Sequence, residues 1–412
     1  MHFDPLRADG SCFIGPELEA LYFAPEFRFM KKLWKSCVAS WLAAMALCAG
    51  AGLAPPVRAN EIVIGQVAPL SGVLASTGAQ MVLGGQIYFD AVNAQGGVHG
   101  ATIRQAVVDD GYKVADTVRL TRELLAKPEV VALYGFAGTA NITQLLADGV
   151  LAQGGAALVA PYTGGESLRN PFNPRIFHVR VGYGDETEHM VQQLTTLGMS
   201  RVAVMYQDDG FGKAGLAGVE AALAKRQLKL VASAGYERNT DKVDDAVKAV
   251  KAADVHAVIM IAVNKPAAAF VKQYREQGGG AQLYNISVVD PAELVKLTGL
   301  KNAHGLGISQ VVPYPYRPML PVVREYQALL KKYAPDAEIN YTSFEQFLGA
   351  KVLVEALRRA GPAPTRAKVV KALESLQNYD LGGITLSYSP TNRIGSRYVE
   401  VTVIGSNGRL MK

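Results

Sequence analysis

Cysteine and tryptophan are scarce in this chain and absent from most of it. All three cysteines (Cys12, Cys37, Cys48) and both tryptophans (Trp34, Trp41) lie before residue 60. Beyond that point there can be no disulfide framework, no thiol nucleophile and no cysteine-ligated zinc. Charge is also sparse. Asp, Glu, Lys and Arg make up 19% of residues, 42 basic against 36 acidic, with no run of five like charges. That scatter argues against a nucleic-acid partner, although a pI near 9.0 alone would permit one. Long apolar runs are missing as well: the strongest, Val38 to Leu47, falls far short of the roughly 20 residues a spanning helix needs. No G-x-x-x-x-G-K-[ST], G-x-S-x-G or H-E-x-x-H occurs, and His99, His178, His189, His256 and His304 stand 11 or more residues apart. Neither a cofactor nor a metal site is expected from these spacings.

What is present is a chain of 412 residues, 49% hydrophobic, enough for two or three units with large cores. Met30-Lys31-Lys32-Leu33-Trp34-Lys35 is a short basic region, followed by an almost uncharged run from Cys37 to Ala54. Val57-Arg58-Ala59 then places short or small residues at the −3 and −1 positions of a cleavage site, so residues 30–59 read as a secretory signal peptide. Residues 1–29 carry no targeting pattern and read as an extension upstream of the true start at Met30.

From Glu61 onward, β-rich runs alternate with amphipathic helical stretches. Strands are expected at 62–67, 102–109, 130–134 and 156–159, with helices at 83–92, 114–126 and 142–153 between them. A loop rich in Gly, Asn and Pro (162–173) precedes a second series. Its strands are expected at 201–206, 229–234, 256–263 and 282–286, its helices at 214–225, 241–253 and 266–277. Alternation of this kind implies right-handed βαβ units on parallel sheets. The break between the series, and the Pro/Tyr-rich stretch 311–318, favour two α/β lobes over a single eightfold barrel. Helices at 321–332, 342–359 and 365–376 follow, then a finishing antiparallel hairpin from 383–388 and 398–404.

Gly210-Phe211-Gly212-Lys213-Ala214-Gly215 satisfies G-x-G-x-x-G, with Glu237 downstream as a possible ribose acid. The carboxylates of Gln207-Asp208-Asp209 would repel a phosphate, so a glycine-eased strand-to-helix turn is the better account. Paired acids at 109–110, 185–186, 208–209 and 244–245 read as solvated loop and helix-start residues. More informative are the loops after consecutive strands, since open α/β sheets bind ligands at the carboxyl ends of their strands. Gly138-Thr139-Ala140-Asn141 opens a helix with backbone N–H groups and a hydroxyl converging, a ready carboxylate site. Ala160-Pro161-Tyr162-Thr163-Gly164-Gly165 repeats that chemistry. A simpler reading makes Thr139 a helix cap.

At these residues the sequence resembles the leucine/isoleucine/valine-binding proteins of ABC importers. The resemblance spans about residues 60–412 and rests on 64–72 (IGQVAPLSG, including Ser71), 93–100 (NAQGGVHG), Asp109-Asp110, the Thr139 and Thr163 loops, and Tyr206 to Gly212. It implies an α/β, type I periplasmic-binding-protein fold: two doubly wound lobes joined by three crossovers, residues 60–180 plus 313–378 and 181–312 plus 379–412. It also implies a periplasmic monomer that closes on a small ligand and presents it to an inner-membrane permease. Carried over by position, Thr139, beside Gly138, falls near the hydroxyl that holds the ligand carboxylate. Tyr162, Thr163 and Gly164 fall where a second loop grips carboxylate and ammonium, Gly164 standing in place of the family's threonine. Thr77 and Asn264 fall where the family has aromatics. The family's ammonium-binding acid aligns with Ser287, and the nearest acid is Asp290. Tyr183 is a further aromatic, chosen for its place close to the crossover.

These readings lead to a non-enzymatic, periplasmic solute-binding protein. A branched-chain or other hydrophobic amino acid is the first choice of ligand; an aliphatic or aromatic acid, or an amide, comes next. A periplasmic sensor for a receptor or kinase is the alternative role.

Overall fold

The computed structural model describes residues 61–412; the signal-peptide and extension readings fall on residues outside it. β1 (Glu61–Ala68) is buried along nearly its whole length, as expected of a strand flanked on both sides in a parallel sheet. It lies between β2 (Thr102–Asp109) and β3 (Val130–Tyr134), with β4 (Leu158–Val159) and β5 (Ile176–Phe177) beyond, giving the order β2-β1-β3-β4-β5. The second sheet repeats that order. β7 (Ala232–Tyr236), β6 (Val202–Gln207), β8 (Ala257–Ile261), β9 (Gln282–Asn285) and β10 (Gly307–Gln310) run parallel, and β13 (Glu400–Ile404) and β14 (Leu410–Met411) extend it antiparallel. In each lobe the strand order reverses beside the first strand, between β1 and β3 and between β6 and β8. A ligand crevice belongs at such a switch point.

The last segment departs from the sequence reading. β11 (Tyr379–Asp380) pairs with β12 (Thr385–Leu386), and β12 does not pair with β13. The finishing hairpin is β13–β14 instead. Leu381, Leu386 and Tyr388 pack in the first lobe's core with Phe177 and Val322, so the third crossover falls after residue 388 and not at 378. The helix expected at 142–153 is split into Thr139–Ala147 and Val150–Gly154 by Gly149, whose φ of 66° breaks the helical path. The G-x-G-x-x-G stretch lies inside the first turns of the helix Gly210–Ala224, capped by the Asp209 carboxylate on the N–H groups of Phe211 and Gly212. Its second glycine lets the helix pass against the Gln207 carbonyl. This is a packing role, not a phosphate cradle.

The first lobe is completed by the helix Tyr341–Ala360. Asn340 caps it through Thr342 N (2.7 Å) and Ser343 N (3.3 Å). Its buried Phe347 meets the Tyr88 and Tyr326 rings at centroid distances of 5.2 and 5.5 Å. Truncating Phe347 to Ala would cost about 3–5 kcal/mol. No helix among the described residues is long and apolar enough to cross a membrane.

Candidate functional site

The carboxyl ends of β3 and β4 carry the two loops singled out by sequence. Gly138 has φ 94°, which a side chain would strain, and it turns the chain into the helix beginning at Thr139. Thr139 does not cap that helix. Its Oγ1 lies 2.6 Å from Thr163 Oγ1, with both residues buried. Thr163 Oγ1 also accepts from Gly165 N (3.1 Å) and Tyr183 Oη (3.4 Å). Either hydroxyl can donate in the Thr139–Thr163 bond, and Thr163 is the one protein partner of Thr139 Oγ1 among the described residues, so the Thr139 hydroxyl keeps hydrogen-bonding capacity for a bound molecule. The first-turn N–H groups of that helix have no intrahelical acceptor.

Gly164 is explained by Tyr183. A Cβ at Gly164 would stand 2.5 Å from the Tyr183 ring and 2.8 Å from its backbone nitrogen. A threonine there, as the family resemblance would supply, cannot coexist with Tyr183 in this position. Arg169 fixes the loop by donating to the carbonyls of Gly165 (3.0 Å) and Val181 (2.9 Å), tying it to the first crossover.

Ser287, at the end of β9, faces this cluster from the second lobe. Its carbonyl accepts from Tyr162 Oη (3.3 Å), which also meets Thr342 Oγ1 (3.0 Å). Ser287 Oγ donates to Glu186 Oε1 (3.0 Å) and accepts from Arg180 Nη2 (2.7 Å). Arg180 is wholly buried, pairs with Glu345 at 2.9 Å and lies 4.8 Å from the Tyr162 ring centroid. Its Nη1 has no hydrogen-bond partner. Burial works against the guanidinium's charge, but Glu345 and Glu186 hold it on. Burial also pushes the Glu345 carboxyl up to about 7, against the pull of Arg180.

The remaining expected residues divide into two places. Thr77, Asn264 and Asp290 form a chain at one rim: Asn264 Nδ2 lies 3.4 Å from Thr77 Oγ1, and Asn264 Oδ1 accepts from Asp290 N (2.7 Å). The Asp290 carboxylate caps the helix Pro291–Thr298 through Glu293 N (2.6 Å) and takes a bond from Asn340 of the first lobe. Burial raises its pKa to about 6. Asp290 is therefore committed to its helix and to Asn340, although it is the acid nearest Ser287 in the sequence. Ser71 is exposed and bonds to Asp109, whose carboxylate also takes the N–H groups of Leu70 and Gly111 at 2.8 Å; it organises the loop after β1.

Several residues of the cleft were not anticipated. Arg238 of the second lobe reaches the Tyr112 carbonyl (2.7 Å) and Asn141 Oδ1 (2.6 Å) of the first, sits 4.0 Å from the Tyr112 ring centroid, and is held at home by Asp209 (3.2 Å). At the opposite rim Ser76 Oγ donates to Glu293 (2.6 Å). Phe211 packs edge-on against Tyr183, ring centroids 5.4 Å apart. With Leu74, Met81, Ile286 and Val288 these rings belong to one apolar cluster drawn from both lobes. Only Phe211 had a readable signal, an aromatic in the turn after the second lobe's first strand. A separate cavity of about 1030 Å³, lined by Tyr314, Met319, Ile384 and Tyr398, touches none of the expected residues. Among the described residues no group of His, Cys, Asp and Glu could hold a metal ion.

Two doubly wound lobes whose switch-point loops meet across three crossovers define a two-lobed binding protein of the type I periplasmic-binding-protein fold. The chain belongs to the periplasmic binding protein family, whose model matches residues 61–409, and is a binding protein rather than an enzyme. "Leu/Ile/Val-binding protein homolog 7" of Brucella abortus (strain 2308) is 25% identical over 363 residues, covering 82% of this chain and 86% of that relative. A substrate-binding periplasmic protein from Ralstonia solanacearum superimposes with a TM-score of 0.82 at 41% identity, over 85% of this chain and 99% of the other. A branched-chain amino acid ABC transporter structure from Thermus thermophilus with bound valine reaches a TM-score of 0.78 at 19% identity, covering 85% and 95%, and attests the fold alone.

Proposed function

We propose that this protein is the periplasmic solute-binding component of an ABC importer. It captures a hydrophobic amino acid or a related small carboxylate or amide, and presents it to an inner-membrane permease as a monomer. The observation that carries this reading is the Thr139–Thr163 hydroxyl pair at the first lobe's switch point, set opposite Ser287 and the Tyr183–Phe211 wall of the second. The first lobe takes the polar head of the solute through the Thr139 hydroxyl and the adjacent helix N–H groups. The second lobe covers the apolar remainder. Contacts made only when the lobes meet shift the hinge equilibrium toward the closed form.

Dye-monitored melting against aliphatic and aromatic amino acids, their deaminated acids and short amides tests this. Ligand at about 100 times its dissociation constant adds about 2.7 kcal/mol. At about 2.1 cal/mol/K per residue, roughly 350 residues have an unfolding entropy near 0.7 kcal/mol/K. A shift of about 4 °C is expected with at least one class, and no shift with any would overturn the reading.

A further inference from the structure

We infer that the solute carries a carboxylate and no free ammonium group. This rests on the reading above and narrows it. The inference follows from which polar atoms of the cleft are already used. An ammonium brings three donors and a charge, and needs a carboxylate or several acceptors out of water. Asp110, Asp209, Asp290, Glu293, Glu345 and Glu186 are each engaged. Asp110 accepts from Tyr112 N (2.9 Å) and from the Thr117 hydroxyl. Asp209 holds its helix cap and Arg238. Asp290 caps its helix, and Glu293 takes Ser76 and Asn264, the latter at 2.5 Å. Glu345 is paired with Arg180. Glu186, wholly buried, accepts from Ser287 N (2.9 Å), Ser287 Oγ (3.0 Å) and Ser309 Oγ (2.5 Å).

Donors are in the opposite condition. The Thr139 hydroxyl has no protein partner but Thr163 among the described residues, and Arg180 Nη1 is a buried cationic donor with no partner. An unmade hydrogen bond on a buried charged group is costly, which a bound acceptor would relieve. Arg180 also stands beside Ser287, so an ammonium brought to Ser287 would meet a guanidinium at close range. A carboxylate, by contrast, matches a helix start, a hydroxyl and a guanidinium nitrogen. The rest of the solute is apolar, in keeping with the apolar cluster of Leu74, Met81, Phe211 and Val288 that both lobes contribute to.

Calorimetric titration of the purified protein with matched pairs decides this: leucine against 4-methylpentanoate, and phenylalanine against 3-phenylpropanoate. The deaminated acid of at least one pair is expected to bind at least 100-fold tighter than its amino acid. Equal or tighter binding of the amino acid would overturn the inference and leave the solute-binding reading intact. No binding by any of the four, with no shift across the wider melting panel, would overturn both. Arg180→Lys keeps the charge and loses the planar fork; a drop of at least 10-fold in acid affinity is expected. Should that variant fail to fold, Thr139→Val reads the Thr139 hydroxyl, and affinity unchanged by it would count against the inference.

Discussion

Arg238 joins the two lobes through contacts that exist only while they touch, so its removal should weaken solute binding without contacting the solute. Arg238→Ala deletes two hydrogen bonds from a charged group, 2.7 Å to Tyr112 O and 2.6 Å to Asn141 Oδ1, and a guanidinium 4.0 Å from the Tyr112 ring centroid. Hydrogen bonds to charged groups contribute about 1.5–3 kcal/mol net each, and a cation–π contact about 0.5–1 at a partly wet site. On opening, Arg238 keeps Asp209 and gains water, which returns much of that sum. A difference of about 2–3 kcal/mol between closed and open forms remains, or roughly 30- to 150-fold in affinity.

The assay is calorimetric titration with whichever solute gives the largest melting shift, accompanied by small-angle scattering at saturation. The variant should still close when saturated, because the Thr139–Thr163 site is intact, but should release solute faster. Arg226→Ala is the matched control, since Arg226 pairs with Glu188 at 2.8 Å entirely within the second lobe. A dissociation constant for Arg238→Ala within about threefold of both wild type and control would refute the reasoning.

Thr163→Ala leaves Tyr183 Oη, Gly165 N and Thr139 without their shared partner, so solute affinity should fall about 10- to 100-fold by calorimetry. Gly164→Ala drives a methyl group against both the Tyr183 ring and the Tyr183 backbone nitrogen; it should lower the melting temperature, and a Tyr183→Ala background should restore only the ring's share of that loss. Asp290 titrates near 6 in the fold against about 4 unfolded, raised by burial among Asn264, Asn340, Tyr316, Glu293 and Glu338. Its contribution to stability is full below about pH 4 and lost as pH rises through 6, amounting to about 3 kcal/mol or about 4 °C. Melting curves of wild type and Asp290→Asn between pH 4 and 8 should diverge by that slope, and parallel curves would exclude it.

Much of the frame could be read from the chain because the signals were local. The buried run Ile62-Val63-Ile64 and the alternating helices give parallel strands, and glycine- and threonine-rich loops after consecutive strands mark the switch point of the first lobe. The finishing hairpin was misassigned because 383–388 and 400–404 have similar strand character. Which one pairs with β10 depends on where the third crossover leaves the first lobe's core, a tertiary matter that Leu381, Leu386 and Tyr388 decide. The role of Asp290 had a local cue: an acid before Pro291 caps a helix when Glu293 N is in reach, and Pro-Ala-Glu follows it.

The least legible residues are those whose role depends on both lobes at once. Arg180, Glu186, Ser287 and Glu345 are spread over more than 160 positions, and nothing in the neighbourhood of any one announces the other three. A buried guanidinium against two buried carboxylates is costly to assemble from separated segments, and each partner comes from a different part of the hinge: the crossover, the first helix of the second lobe, the β9 loop and the capped helix Tyr341–Ala360. The same network therefore joins the moving parts and leaves Arg180 Nη1 with neither a hydrogen bond nor an ion-pair partner among the described residues. A solute carboxylate that satisfies that nitrogen acts on the hinge directly, so recognition and closure are coupled through Arg180. Mutations at Glu345 that leave the Thr139 loop untouched should then alter closure and affinity together: Glu345→Gln should change both the saturated radius of gyration and the dissociation constant, and a change in one alone would separate the two roles.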